Sequence, residues 1–488
     1  MTDLRSARLL DTAVATLRGE ILPLLGDPVS RIKLDHVTRL LWDVSARMSA
    51  REAGLRTLVG TLSAIVCLPP PPADADLETL ERLRGEAEAK VAEKLPEWLS
   101  GADGEGGEAL AKLVAAERDF YISQDPDVAN GSAVVYRGGR IENERVKAVG
   151  AGFPDLDAEG LTGYLRTRFG RDEVTATGLK RIPGGFSKET IFFTLEDAAS
   201  GKSDPLVIRK DLPVPLIEKT VVREFPLLKH LHAQGFPVAE PLWLEDDAAR
   251  FGGAFLVSRR VAGTSDVAAW SSDPERARAA CNELARLLAR LHTYDPVALG
   301  ADPALAALSA GEQMVREVDL WIDLFHRKRA ESFPLQELPL VWLRANVPPV
   351  LFDRPARVIH GDVGFHNLMF DENGQVTALL DWEFSTLGDP TQDLCFVRQF
   401  VEPIVGWDAF LAAYIAAGGA APCEEASFFY DLWTRTRNGV GCVDAQTLFD
   451  RHMPHEMRFA LAGHIFAPYM FVDQCEVLLR HLAQPVPA

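Results

Sequence analysis

The sequence predicts an α+β protein in which the strands are gathered into one segment, with helices before and after it. Three observations carry this. Runs with period-2 alternation, bounded by glycine or polar turns, cluster between residues 177 and 261. Apolar residues at helical spacing fill 6–67, with Leu9, Leu10, Val14, Leu17 and Ile21 in one stretch and Val37, Leu40, Leu41 and Val44 in the next. After Gly263 the pattern is helical again, interrupted by a short hairpin signal over 368–380.

In chain order, the first helices stop at Pro69-Pro70-Pro71-Pro72, which no helix interior accommodates. A charged helix follows over 77–99, glycines at 101–107 break the chain, and 110–120 is a last short helix. Residues 1–120 therefore read as a helical domain, and the polar, glycine-containing stretch 121–153 as a linker. An amphipathic helix over 161–169 opens the next part. Strands are expected over 177–182, 190–195 and 206–210, a helix over 216–234 ended by Gly235, and strands over 242–244 and 254–261. This gives a small five-stranded antiparallel lobe over 154–263. Helices over 273–294, 311–332, 335–346, 391–418 and 425–480 give a mostly helical large lobe over 264–488.

Composition excludes several classes. The 488 residues carry a net charge of −19, with 47% hydrophobic and 25% charged residues, an ordinary globular balance. The acidity argues against a nucleic-acid partner, which needs a basic stripe. The densest basic run, His326-Arg327-Lys328-Arg329, reads as a solvated helix end. Six cysteines show no Cys-x-x-Cys pairing, so reduced thiols and a cytoplasmic location are expected. The longest apolar run, over 58–68, contains Gly60 and is too short for membrane insertion.

The chemistry concentrates in His360-Gly361-Asp362-Val363-Gly364-Phe365-His366-Asn367 and in Asp381 after the hairpin. Phosphoryl transfer needs a carboxylate to accept a hydroxyl proton and oxygen ligands to hold Mg²⁺ against phosphates. Asp362 suits the first task; Asn367 and Asp381 suit the second. With the turn centred between Glu372 and Asn373, Asn367 is expected opposite Ala378, and Asp381 three residues further along, about 10 Å of strand rise. His360, His366 and His292 read as hydrogen-bonding or packing residues, and Asp389 and Asp393 as braces at the start of the following helix.

This block resembles the catalytic loop of the aminoglycoside phosphotransferase and choline kinase family, relatives of the protein kinases. The continuation Asp381-Trp382-Glu383-Phe384-Ser385-Thr386-Leu387-Gly388-Asp389-Pro390 resembles the subgroup that includes the kinase-like domains fused to acyl-CoA dehydrogenases. So do Trp342 to Pro348 and Leu291-His292 with Asp295, and the likeness covers residues 155–480. It implies a bilobal kinase-like fold, with Asp362 as catalytic base, Asn367 and Asp381 as metal ligands, and a helical insert shaping the substrate pocket. Gly184, Gly185, Phe186 and Ser187 match the nucleotide-positioning loop, where backbone N–H groups approach phosphate. On the third strand Arg209, preferred to Lys210, takes the place where most such folds carry Lys, and Glu224 on the next helix is expected to orient it. Val257 and Arg259 fall in the hinge that binds adenine through backbone groups; family members often have Met-Glu where Ser258-Arg259 stands, which leaves ATP or GTP open.

The leading expectation is a Mg²⁺- and ATP-dependent kinase acting on a small-molecule hydroxyl, with the resemblance pointing to a hydroxyacyl-CoA or related alcohol. The alternatives are a pseudokinase scaffold, whose helical N-terminal domain binds a protein partner or a second copy, and an aminoglycoside-type antibiotic phosphotransferase.

Overall fold

The computed structural model describes residues 10, 12–26, 28–101, 104–124, 156–182, 187–212, 215, 218–266, 271, 273–371, 375–451 and 457–484. The first helices are α1 (Pro28–Ile65), α2 (Leu77–Ser100), α3 (Glu105–Gln124) and α4 (Ala158–Phe169). Strands β1 (Val174–Ile182), β2 (Lys188–Asp197) and β3 (Lys202–Asp211), helix α5 (Val221–Ala233), and strands β4 (Pro241–Glu245) and β5 (Phe255–Arg259) follow. Then come α6 (Pro274–Thr293), α7 (Ala310–Lys328) and α8 (Pro334–Ala345), and short strands β6 (Arg357–Ile359), β7 (Leu368–Phe370), β8 (Val376–Leu379) and β9 (Thr386–Gly388). Helices α9 (Thr391–Val405), α10 (Trp407–Ala416), α11 (Glu424–Arg451) and α12 (Ala467–Leu482) complete the described elements. Among the described residues no helix is long and apolar enough to cross a membrane.

Packing divides the described residues into two compact units. The first draws on Met1–Ile141, Glu317–Asn346 and Leu432–Ala488, the second on Glu142–Arg316 and Val347–Asp431. The linear reading assigned 311–346 and 425–480 to the large lobe; from Glu317 to Asn346 and from Leu432 onward these helices instead pack with the N-terminal ones. Helical periodicity marks a buried face but does not name what covers it.

In the first unit α2 is capped by Asp76, which accepts a hydrogen bond from the Thr79 amide at 2.9 Å. Buried amides tie α8, α11 and α12 together. Gln336 Nε2 donates to the Thr436 carbonyl at 2.8 Å, and Gln474 Nε2 donates to Gln336 Oε1 at 2.8 Å and to the Leu335 carbonyl at 3.1 Å. The basic run at the end of α7 is not simply solvated: Lys328 lies 3.3 Å from Asp444 and Arg329 2.6 Å from Glu337.

The second unit has the bilobal, kinase-like α+β architecture. Its sheet is antiparallel in the order β1-β2-β3-β5-β4. One face carries Ile191, Phe193, Ile208 and Val257 and packs against Leu161 and Leu165 of α4. On the other face Leu256 packs with Val221 and Phe225 of α5. Helix α5 begins at Val221, where Asp211 accepts the Val221 amide at 3.1 Å; the expected start at 216 lies outside the described residues. The large-lobe core joins α6, the β7–β8 hairpin, α9 and α10. The expected continuous helix over 391–418 is broken at Gly406, whose φ of 76° suits glycine and not a helix interior.

Candidate active site

Strand β6 leads into the loop and pairs antiparallel with β9, so the chain segments on either side of the hairpin are joined at their base. Gly361 sits at φ 82°, and a Cβ there would lie 2.5 Å from the Phe384 carbonyl oxygen; only glycine fits. The next device is a buried carboxylate. Asp393 at the start of α9 accepts the His360 amide at 2.8 Å and the Gly361 amide at 2.7 Å. His292 Nε2 lies 3.1 Å from the same carboxylate, and His292 Nδ1 lies 2.8 Å from the Tyr414 hydroxyl. Burial pushes the Asp393 pKa up, but the His292 hydrogen bond and the nearby imidazoles outweigh it and hold it below the ordinary value. His360 is bonded through Nε2 to the Leu380 carbonyl at 2.9 Å, and burial holds its pKa below the usual imidazole range. Both histidines thus serve as struts, as does Asp389, which accepts the Thr391 amide at 2.9 Å.

The hairpin brings the three acidic and amide groups together more tightly than the sequence suggested. Leu368 pairs with Leu379 and Met369 with Ala378, and the register shifts before Phe370 pairs with Val376. The Leu380 amide accordingly donates to the Asn367 carbonyl at 2.7 Å. Asn367 therefore lies opposite Leu380, not Ala378, and Asp381 is the very next residue. The shift between Met369 and Phe370 supplies one residue of this difference, because an extra residue on one strand advances everything beyond it; the other is already present at Phe370, which faces Val376 and not Gln375. The turn residues 372–374 that were expected to set the register lie outside the described residues. Asn367 Nδ2 donates to the Asp362 backbone oxygen at 2.9 Å and to Asp362 Oδ2 at 3.2 Å, which commits its amide nitrogen to Asp362. His366 Nε2 is 3.8 Å from Asp362 Oδ2.

Asp381 adopts the left-handed conformation, φ 66°, an uncommon state that Asp tolerates better than most residues. Its Oδ1 accepts from Arg209 Nη2 at 2.7 Å. Burial raises the Asp381 pKa, and Arg209 and Lys188 together overcome this and hold it below the ordinary carboxylate value. The β2–β3 register explains the convergence: Thr190 opposes Arg209 and Lys188 opposes Asp211, so Lys188 and Arg209 project from one face. Lys210 points to the other face, 3.5 Å from Glu189; burial and Arg181 nonetheless push its pKa down to about 8.

Glu224 does not orient Arg209 directly, as the sequence reading had it. It pairs with Lys188 Nζ at 2.8 Å, and Glu383 Oε2 meets the same ammonium at 2.7 Å. The Lys219 carbonyl accepts a hydrogen bond from the same ammonium at 3.0 Å, as Glu383 does, whereas the Glu224 contact is an ion pair without hydrogen-bond geometry. Lys188 is buried, with 3% of its side chain exposed. Burial acts to lower its pKa, and Glu383 and Glu224 reverse the effect. Burial and the Asp381 charge lift Glu383 to about 7 against the pull of Lys188. Sequence reasoning assigned no role to Lys188 or Glu383. The available signals were a lysine that opens a strand of apolar alternation and a carboxylate two residues beyond Asp381.

Of the expected nucleotide loop, Gly184, Gly185 and Phe186 lie outside the described residues. Among the described residues, Ser187 Oγ and Arg209 Nε are buried without a hydrogen-bond partner. Val257 and Arg259 are not arranged as an open hinge. Val257 is buried between β3 and β4, the Arg259 amide donates to the Glu240 carbonyl at 3.0 Å, and the Arg259 guanidinium pairs with Glu240 and Asp204 at the surface. Strand β5 runs to Arg259, so the chain leaves the sheet beyond it, where the Thr264 amide bonds the Phe370 carbonyl at 2.9 Å.

The model of the APH phosphotransferase enzyme family matches residues 178–431. The chain belongs to this family. Among curated relatives of this APH chain, rat acyl-CoA dehydrogenase family member 11 is 30% identical over 253 residues, covering 50% of this chain and 31% of that protein. Mouse acyl-CoA dehydrogenase family member 10 is 28% identical over 246 residues, covering 49% of this chain and 22% of that protein. The chain thus spans less than a third of the length of these relatives. A Ralstonia eutropha protein described as an aminoglycoside phosphotransferase shares 24% identity at a TM-score of 0.49, over 66% of this chain and 98% of its own.

Proposed function

We propose that this APH-family phosphotransferase transfers the γ-phosphoryl group of ATP to a hydroxyl of a small molecule. The observation that carries the reading is the convergence at one end of the hairpin. Asn367 holds Asp362, and the Leu380 amide on the Asn367 carbonyl sets Asp381 beside them. Asp362 accepts the hydroxyl proton and aims the oxygen. Asn367 and Asp381 would hold Mg²⁺, which when bound neutralises phosphate charge; the remaining ligand positions suit phosphate oxygens and water. The donor set fits that ion, being oxygen only, and the unpartnered Ser187 Oγ and Arg209 Nε fit an anion. Arg209 and Ser187 position the phosphates, and Lys188 keeps Glu224 and Glu383 fixed behind them. Kinship with the acyl-CoA dehydrogenase family members favours a hydroxyacyl-CoA, or a related alcohol, as acceptor over an aminoglycoside.

One observation favours a second reading, a nucleotide-binding scaffold without turnover. The Arg209–Asp381 pair occupies an oxygen that a metal needs, and Arg stands where most kinase-like folds have Lys. Mg-ATP consumption measured against hydroxyacyl-CoAs, free hydroxy acids and aminoglycosides separates the two. Phosphate transfer to a hydroxyacyl-CoA is the expected result; transfer to none, with tight nucleotide binding, selects the scaffold. Asp381→Ala is expected to abolish Mg²⁺-dependent nucleotide binding. An unchanged Mg-ATP affinity by calorimetry would refute the metal role.

A further inference from the structure

The first unit encloses a cavity of about 360 Å³ that has no part in the chemistry above. Helices α1, α2, α3, α11 and α12 contribute to its wall, together with the turn before α8 and the segment 461–466. Its electrostatics are one-sided. Arg84 bonds Glu88 at 2.6 Å, stands 3.7 Å from Glu117 and lies over the Phe120 ring. Arg51 is already paired with Glu81, and His464 Nε2 lies 2.8 Å from Asp450. Glu331 accepts from the Gln446 amide at 3.4 Å, with the Arg84 and Arg451 charges acting on it. Arg84 is thus shared by Glu88 and Glu117.

Glu117 is the decisive residue. It is 1% exposed, it lines the cavity, and neither carboxylate oxygen has a hydrogen-bond partner. Ionised, it lacks a donor; protonated, it lacks an acceptor. A buried polar group left in this state costs free energy unless something enters to satisfy it. Burial raises the pKa of Glu117 against the pull of Arg84, and it raises Glu88 to about 8, as expected where a positive charge is missing. Among the described residues no three His, Cys, Asp or Glu side chains are arranged as a metal site, so a metal ion is not the match. Phe120, Phe333 and Phe471 supply an apolar and aromatic wall.

We propose that this cavity binds a small organic cation, an amine whose ammonium group pairs with Glu117 and whose apolar body lies against Phe120, Phe333 and Phe471. Carboxylate and aromatic faces together are the surroundings such a cation selects. The site is independent of the hairpin chemistry and stands whether or not the phosphotransferase reading holds.

The test is calorimetric titration of the full chain with phenethylamine, 2-phenylethanol and 3-phenylpropionate, three probes of similar body and different charge. Saturable binding of the amine alone is expected. Glu117→Gln, nearly isosteric, should weaken it by about tenfold or more, the worth of a charged hydrogen bond. Gly85→Leu offers a second variant that keeps Glu117. A Cβ at Gly85 meets nothing within 4 Å, and leucine is the better helix former, so the side chain enters and narrows the cavity and binding should weaken. Circular dichroism and thermal melting establish that both variants fold. Equal binding of the alcohol, undiminished binding to either folded variant, or no saturable binding of the amine (a cavity holding water only) would each overturn the proposal.

Discussion

Asp362→Asn is expected to lower turnover by about 10²- to 10⁴-fold, the usual contribution of a positioned general base, while nucleotide binding survives. The substitution is close to isosteric. The Asn367 side chain keeps its 2.9 Å bond to the residue 362 backbone oxygen, so the loop holds its shape. Gly361 and the Asp393 bonds to the loop amides are untouched as well. The loss should therefore fall on kcat, with KM for nucleotide nearly unchanged, because the removed group acts on the hydroxyl proton and not on the phosphates. Full activity in this variant removes Asp362 from the chemistry. A loss of nucleotide affinity equal to the loss of rate would mean that Asp362 holds the loop and does not act as a base.

The second large effect concerns stability. Lys188→Met removes the one ammonium that Glu224 and Glu383 share, and leaves two carboxylates in the interior of the lobe. Breaking a buried pair by deleting one partner typically costs about 3–5 kcal/mol, since the surviving charge keeps its desolvation penalty. The expected result is a lowered first unfolding transition in chemical denaturation. A double-mutant cycle with Glu224→Gln provides the check. If the pair is coupled as its 2.8 Å contact implies, the double variant is much less destabilised than the sum of the singles. Additive losses would show that Lys188 and Glu224 act separately.

The site was legible in unequal parts. Asp362, Asn367 and Asp381 lie within one local segment, and a loop followed by a hairpin can be reasoned out from turn chemistry and strand alternation. Even there the register came out two residues short: Phe370 already faces Val376 and not Gln375, and the shift between Met369 and Phe370, which leaves no mark that alternation detects, adds the second residue. Strand alternation separated Arg209 from Lys210, and the choice of Arg209 came from the resemblance to the kinase-like subgroup; the structure places these side chains on opposite faces. The partnership of Lys188 with Glu224 and Glu383 was not legible. It joins a strand, a helix and a post-hairpin turn, and only the tertiary fold brings three such distant positions to one ammonium. The fold class followed from where the strands cluster. The grouping of helices into units did not, since each amphipathic stripe in 317–346 and 432–484 is compatible with several partners.

The Asp393 brace carries a consequence for the order in which the protein is made. The amides of His360 and Gly361 have their acceptor more than thirty positions downstream, and His292 is locked by Tyr414, which lies further on still. During synthesis from the N-terminus, the loop that carries Asp362 leaves the ribosome before the groups that give it its shape. Asp362 is thus present in the nascent chain well before its geometry is, and the loop can take its final shape only once α10 has emerged.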